Sequence, residues 1–155
     1  SACFAAFAGL DRGFGIMTVG TDVRQADADA SWRRQRADRG LRAWQSGMAA
    51  ERSVAACYDR RGADLLETRW RGEGGEIDLI LREGAVIVFC EVKAARSFDA
   101  AIARLRPAQV RRIHAAAAEY LGHVPAGQLA EVRFDLAVVD QRGATEIIEN
   151  AFGHF

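Results

Sequence analysis

Two neighbouring β-rich runs constrain the fold of this chain more than any other feature of its sequence. They cover residues 76–82 and 85–93 and are separated by Glu83 and Gly84, a dipeptide that suits a tight hairpin turn. Apolar residues occupy both alternating sets of positions, whereas a strand with one solvated face alternates apolar and polar residues. The pattern therefore predicts a central antiparallel pair of strands that is covered on both faces.

The rest of the chain supplies elements that could cover this hairpin. Apolar residues at helical spacing predict one or two helices within residues 32–58 and a longer helix over residues 107–121. The further elements predicted are a short helix over 97–105 and strands over 63–70, 131–139 and 145–148. An order of helix, three strands, helix and strand indicates an α/β sandwich, and 155 residues suit one hydrophobic core.

The N-terminal residues are predicted to lie outside that core. Residues 1–16 include an apolar stretch that lacks a basic leader and is too short to span a bilayer, so neither a signal peptide nor a transmembrane helix is expected. Residues 18–31 are polar, have no sustained period and are interpreted as a mobile tail. The predicted organisation is thus an extension or tail over 1–31 and one domain over 32–155.

The composition argues against some classes of protein and leaves nucleic-acid binding open. Cys3, Cys57 and Cys90 are odd in number and widely spaced, which argues against a disulfide framework or a structural zinc site and favours the reducing cytoplasm. The formal net charge is zero, so the charge balance alone does not indicate a nucleic-acid-binding protein. Arginines nevertheless cluster in residues 31–71 and 96–112, where a solvated helix face and a phosphate-binding surface both remain open.

Three charged residues interrupt the apolar hairpin. With Glu83 and Gly84 as the turn, Asp78, Glu91 and Lys93 share one sheet face, and Asp78 lies diagonal to Glu91 at roughly 7 to 8 Å. Burial of such charges without compensation costs several kcal/mol each, so an ion pair or a bound metal must offset it. The spacing alone is compatible with both.

Lys93 is distinctive because it is the only lysine among 21 basic residues. Lysine carries a compact charge on a flexible stem and can position or deprotonate a water, whereas the guanidinium group of arginine stays charged. This shifts the interpretation toward an active site.

The same residues carry a family resemblance. The sequence G-E-I-D-L-I at residues 75–80, followed by V-F-C-E-V-K at 88–93, resembles the D…E-x-K core of the PD-(D/E)XK nuclease superfamily. Residues 47–139 are similar more specifically to the YraN family of predicted endonucleases. The further matching positions are Gly47, Glu51, Ala55, Gly62, Tyr120, Leu121 and R-F-D at Arg133 to Asp135.

The resemblance implies a restriction-endonuclease-like fold, a three-layer sandwich with a mixed central sheet flanked by helices. It implies that Asp78 and Glu91, with the carbonyl oxygen of Val92, hold Mg²⁺ or Mn²⁺, which prefer hard oxygen ligands. Lys93 would orient or activate the attacking water. Glu51 would be an outer or second-metal carboxylate.

Other residues are expected around that centre. Glu76 shares the strand face of Asp78 and could bind metal or accept a hydrogen bond from Arg96. The expected nucleic-acid surface contains Arg96, Gln109, Arg111 and Arg112, although Gln109 stands where relatives often carry lysine. The arginines are expected to contact phosphates rather than bases.

Three other residue types are weaker candidates for a functional role. The histidines lack the spacing of a metal site or catalytic triad and are expected at the surface or at helix ends: His114, His123 and His154. The tryptophans are expected to pack in the core or anchor the tail rather than stack on bases: Trp32, Trp44 and Trp70. Cys90 is expected to be an inert buried residue.

The predicted function is therefore a metal-dependent endonuclease that acts on nucleic acid, DNA being the expected substrate, without a membrane partner. One alternative is a non-catalytic member of the same fold that binds nucleic acid or a protein. Another is an ion-paired scaffold without a ligand. Metal dependence separates the first from the other two, and salt-sensitive DNA binding separates those two from each other.

Overall fold

A computed structural model describes residues 22–125 and 129–152 of the chain, and within them three helices and five strands. The helices are α1 (Asp22–Arg60), α2 (Phe98–Ile102) and α3 (Pro107–His123). The strands are β1 (Asp64–Arg71), β2 (Glu76–Glu83), β3 (Val86–Ala94), β4 (Glu131–Val139) and β5 (Thr145–Ile148). Each element that the sequence predicts is present, with most boundaries within two residues.

The five strands form one mixed sheet. They lie in chain order, β1 to β5, and every neighbouring pair is antiparallel except β3 and β4. The parallel pair requires a crossover, and the chain from α2 to α3 provides it. The predicted α/β fold with a mixed central sheet is confirmed.

Helices cover both faces of the sheet from Gly40 onward. On one face Ala50, Val54 and Tyr58 of α1 pack against the inner strands, in a core that includes Leu79 and Cys90. On the other face α3 packs against a second core, whose buried residues include Ile80, Phe89, Ile113, Ala117, Tyr120 and Phe134. The hairpin strands β2 and β3 are therefore buried on both faces, as their apolar pattern predicts.

Helix α1 begins earlier than the sequence pattern indicates. The mobile tail predicted for residues 18–31 is wrong from Asp22 onward, because the helix starts there rather than at Trp32. Residues 22–31 lack the apolar period that marks a packed helix, yet they contain three alanines and no glycine or proline, and they form helix although none of residues 27–31 is buried. Residues 1–21 and His154 lie outside the described residues.

The chain divides after Arg39 into two units, and the unit that begins at Gly40 contains the whole sheet. In the first unit the indole N–H of Trp32 donates to Asp29 Oδ1 at 3.1 Å, and Trp32 is 46% exposed. In the second unit Trp44 is 52% exposed, whereas Trp70 packs edge to face on Tyr120. Of the two expected positions, core packing or anchoring of the tail, core packing is thus confirmed for Trp70, which is partly buried against the core, whereas Trp32 and Trp44 do not lie in the core.

No helix in residues 22–125 and 129–152 combines the length and apolar character needed to cross a membrane.

Candidate active site

The hairpin turn lies one residue later than the sequence predicts. Gly84 and Ala85 form it, with Gly84 at a φ of 62°, and Glu83 pairs with Val86. The register runs to Leu79 opposite Cys90, and one further step along both strands brings Asp78 opposite Glu91. The predicted diagonal relation is therefore wrong, but the predicted shared face is right, because a register change of two residues preserves side-chain alternation.

Asp78 is partly buried and has one hydrogen-bond donor among the described residues. The backbone N–H of Val92 donates to its Oδ2 at 2.8 Å. Burial and the neighbouring charge of Glu91 raise the pKa of Asp78 from 3.8 to about 7, with a smaller contribution from Glu51. The Val92 hydrogen bond and the Lys93 charge lower this pKa but do not offset the rise. The folded protein therefore holds a carboxylate whose negative charge is poorly compensated.

Glu91 is buried, with 6% of its surface exposed, and has two donors on one oxygen. The Lys93 ammonium and the side-chain amide of Gln109 both donate to Glu91 Oε1. Lys93 comes from the same strand two residues later, whereas Gln109 comes from the first turn of α3. The ion pair of the scaffold alternative is thus present between Lys93 and Glu91.

One oxygen on each carboxylate accepts no hydrogen bond from the described residues. These atoms are Asp78 Oδ1 and Glu91 Oε2, and every buried side-chain oxygen in this part of the chain does have a donor. Both atoms must therefore contact solvent. Asp78 and Glu91 line a cavity of about 310 Å³, together with Gly75, Glu76, Gln109, Arg112 and Ile113. The cavity is thus lined by two carboxylates, each of which keeps one oxygen without a hydrogen-bond donor among the described residues.

The glycine-rich loop between β1 and β2 shapes one wall of this cavity. A Cβ at Gly74 would lie 2.7 Å from the backbone nitrogen of Ala116, so only glycine permits this approach to α3. The Gly74 N–H donates to Glu119 Oε2 at 3.2 Å. Gly75 has a φ of 148°, which strongly favours glycine, and it is the third residue before Asp78. The sequence identifies a loop here but not its packing on α3.

Glu51 and Glu76 lie near the centre but have other partners. Both oxygens of Glu51 accept hydrogen bonds from Arg69, at 2.9 and 2.8 Å for the shortest contact to each. Glu76 accepts a hydrogen bond from Arg71 rather than from Arg96, which corrects that expectation. The structure therefore brings Asp78, Glu91 and Lys93 together and leaves Glu51 in a bidentate ion pair beside them.

The residues expected to bind nucleic acid lie at three different positions, since only Gln109 and Arg112 line the same cavity. Arg112 is exposed and lines the cavity, while Arg111 is exposed on α3 outside its lining. Arg96 lies beyond the end of β3 and lines two smaller cavities with Asp140. Gln109 contacts Glu91, a contact that sequence reasoning missed because it depends on how α3 packs on the sheet.

The chain matches the model of "Uncharacterised protein family UPF0102" over residues 50–139. A relative from Ruegeria pomeroyi is 54% identical over 118 residues, which cover 76% of this chain and 96% of the relative. The chain belongs to the UPF0102 family. Other members of the family include a protein from Cereibacter sphaeroides, 53% identical over 70% of this chain and 93% of its own length. A third member, from Dinoroseobacter shibae, is 46% identical over 86% of this chain and 98% of its own length.

The UPF0102 segment contains every candidate residue from Glu51 to Arg112. It also contains a second buried charge cluster, in which Asp135 accepts hydrogen bonds from Tyr58 at 2.6 Å and from Arg133 at 2.9 Å. Hydrogen bonds to Asp135 and Glu83 raise the pKa of the Arg133 guanidinium despite burial, which acts to lower it. Arg133 and Asp135 of the R-F-D sequence of this UPF0102 protein thus form an ion-pair network with Glu83.

The remaining candidates are not part of the site. Cys90 is fully buried, and burial raises the pKa of its thiol well above the usual range, as expected for an inert residue. His114 packs on Phe134 with ring centroids 4.1 Å apart, and His123 ends α3 at an exposed position. Within the described residues, no three side chains of His, Cys, Asp or Glu are grouped to hold a metal ion. A metal at Asp78 and Glu91 would therefore need further ligands from carbonyls, water or substrate.

Proposed function

We propose that this protein is an endonuclease of the PD-(D/E)XK type that depends on Mg²⁺ or Mn²⁺ and hydrolyses phosphodiester bonds in nucleic acid, with DNA as its expected substrate. The observation that carries the proposal is the pair of carboxylates Asp78 and Glu91, which line one cavity and each keep one oxygen, Oδ1 and Oε2, that accepts no hydrogen bond from the described residues. Asp78 and Glu91 are two neighbouring carboxylates, and among the described residues only Glu91 is paired with an ammonium, that of Lys93, so one negative charge is in excess. A divalent cation offsets such a charge.

The donor set fits a hard cation. Two carboxylate oxygens suit Mg²⁺, which in substrate-processing sites often takes one or two carboxylates and completes its shell with water and phosphate oxygens. When bound, the cation supplies Lewis-acid stabilisation of the charge that builds up on the phosphate in the transition state. The raised pKa of Asp78 supports the same assignment, because burial and the nearby charge of Glu91 both disfavour its ionised form, and a bound cation would favour that form.

The chain's own residues supply the other parts of the reaction. Lys93 has an ammonium with three donors, of which Glu91 uses one, and it can hold a water beside the scissile phosphate. Arg112 lines the cavity and provides a guanidinium group for a non-bridging phosphate oxygen. The loop at Gly74 packs against α3, and the next residue, Gly75, lines the cavity together with Asp78.

One observation favours a second candidate, a non-catalytic member of the fold. Lys93 pairs with Glu91, and an internal ion pair of this kind can be purely structural. Among the described residues, however, Asp78 has no cationic partner of its own, and a scaffold gains nothing from an uncompensated carboxylate.

Cleavage assays distinguish the two candidates. The purified 155-residue chain is incubated with Mg²⁺ or Mn²⁺ and labelled single-stranded, duplex, flap and junction DNA. We expect cleavage that EDTA abolishes and that Asp78→Asn reduces about a thousandfold, since about 4 kcal/mol of transition-state stabilisation is lost. Asp59→Asn, at an exposed position of α1, is the matched control and retains activity. Absence of metal-dependent cleavage by the wild type on every substrate contradicts the proposal.

A further inference from the structure

Gln109 and Lys93 place two different donors on the same oxygen of Glu91. The amide of Gln109 is neutral, and the ammonium of Lys93 carries a positive charge. This shared oxygen leaves Glu91 Oε2 for another partner. The two donors respond differently to a cation at Oε2, because a second positive charge repels an ammonium and does not repel an amide.

The two donors also differ in how firmly they are attached. Gln109 lies in the first turn of α3, where Pro107 starts the helix and the Gln109 backbone N–H donates to Arg106 O at 2.8 Å. The adjacent Val110 and the nearby Ile113 are buried against the sheet and fix the helix. Lys93 instead extends a long stem from a position near the end of β3 and is 21% exposed. Gln109 is thus the fixed donor and Lys93 the movable one.

We propose that Gln109 is a positioning residue that holds the Glu91 carboxylate, so that Lys93 can leave Glu91 when a divalent cation binds and can then serve the substrate. The proposal rests on the proposed function and assigns to Gln109 a task that differs from the nucleic-acid contact expected from the sequence. If Lys93 were the only donor, its departure would leave Glu91 without a hydrogen bond. Residues that hold a metal ligand in place typically contribute 10- to 100-fold in metal affinity or activity.

The single lysine of the chain provides a direct measurement. In protein labelled only at lysine side chains, the NMR spectrum of the ε position contains one lysine signal, that of Lys93. We expect Mg²⁺ to move this signal toward that of a solvated lysine in the wild type. In Gln109→Leu the same movement requires about tenfold more Mg²⁺, since Glu91 is no longer held. Gln141→Leu, at an exposed position, is the matched control and titrates like the wild type.

Two further readouts separate positioning from other roles. For Gln109→Leu we expect calorimetry to show Mn²⁺ binding weakened about tenfold and cleavage to show a lower kcat with an unchanged KM for DNA. A raised KM with unchanged Mn²⁺ affinity overturns the proposal in favour of a DNA contact. Denaturant unfolding of the apo protein shows whether the variant folds, and Gln109→Met replaces it if it does not.

The outcomes also distinguish this proposal from the proposed function. If the wild type binds neither Mn²⁺ nor Mg²⁺, the metal site itself is wrong, and this role of Gln109 is wrong with it. If the wild type binds Mg²⁺ but the Lys93 signal does not move, or if Gln109→Leu titrates like the wild type, only the role of Gln109 is overturned.

Discussion

Asp78 and Asp135 are carboxylates on two strands of the same sheet, and their surroundings are opposite. Asp135 is 0% exposed, and both of its oxygens accept hydrogen bonds, from Tyr58, Arg133 and the backbone N–H of Asn150. Asp78 has a single donor among the described residues, the N–H of Val92, and the charge that affects it most, that of Glu91, is also negative. One site satisfies its charge completely, and the other leaves charge in excess.

This difference separates a carboxylate that stabilises the fold from one that can bind a ligand. A buried carboxylate with a full set of donors contributes to a single native arrangement and has no acceptor left for a ligand. A carboxylate with an unmatched oxygen in a cavity lowers the stability of the apo protein and gains from a bound cation. The sheet therefore contains a closed charge cluster at Asp135 and an open one at Asp78 and Glu91.

The largest expected difference concerns stability. Asp135→Asn removes the charge that balances Arg133 and weakens the hydrogen bond with Tyr58, so the free energy of unfolding falls by about 3 kcal/mol. Asp78→Asn removes a repelled charge and leaves this energy unchanged or higher. Urea denaturation of the apo variants at pH 7.5 measures both. The comparison fails if Asp78→Asn is the more destabilising change.

The next expected effect is stabilisation by metal. At 100 times its dissociation constant, Mg²⁺ raises the free energy of unfolding of the wild type by about 2.7 kcal/mol. Asp78→Asn loses this increment, because it removes one of the two carboxylates that line the cavity. Asp59→Asn retains it. Thermal or denaturant unfolding with and without Mg²⁺ checks the prediction, and equal stabilisation of wild type and Asp78→Asn contradicts it.

A smaller effect concerns pH. The pKa of Asp78 is raised from 3.8 to about 7 in the folded state, so folding favours its protonated form. Its contribution to apo stability is fully present below about pH 4 and is lost as pH rises through about 7. After allowance for partial exposure, we expect a loss on the order of 1 to 2 kcal/mol for the wild type relative to Asp78→Asn. Parallel stability curves for the two proteins between pH 4 and 8 contradict this.

The smallest expected effect is on DNA binding. Arg112 lines the open site, has no acidic partner among the described residues and is available to a phosphate, whereas the guanidinium of Arg133 is already paired. Arg112→Gln should weaken binding for all sequences and reduce the slope of log affinity against log salt by about 1. Arg142→Gln, in the exposed turn between β4 and β5, is the control. Equal salt slopes for both variants show that Arg112 makes no phosphate contact.

The sequence predicts those features that depend on local periodicity. Side-chain alternation places Asp78, Glu91 and Lys93 on one face even though the predicted turn is one residue too early, since parity survives a shift of two in register. Start and end signals also locate α3, where Pro107 begins the helix. These predictions need no knowledge of how distant segments pack.

Contacts between distant segments were not predictable in the same way. The hydrogen bond from Gln109 to Glu91 joins α3 to β3, and the ion pair of Glu51 with Arg69 joins α1 to β1. Neither pair has a sequence spacing that marks it. The early start of α1 was missed for another reason, because helix propensity without an apolar stripe leaves no periodic signal.

The most direct test of the open site is anomalous diffraction from a crystal of the wild-type protein soaked in Mn²⁺. The central claim predicts one strong manganese peak in the cavity, roughly 2.0 to 2.3 Å from both Asp78 Oδ1 and Glu91 Oε2, and none at Asp135. If the cavity shows no manganese peak at saturating Mn²⁺ and Lys93 is still bonded to Glu91, the claim is contradicted. Asp78, Glu91 and Lys93 then have a structural role only.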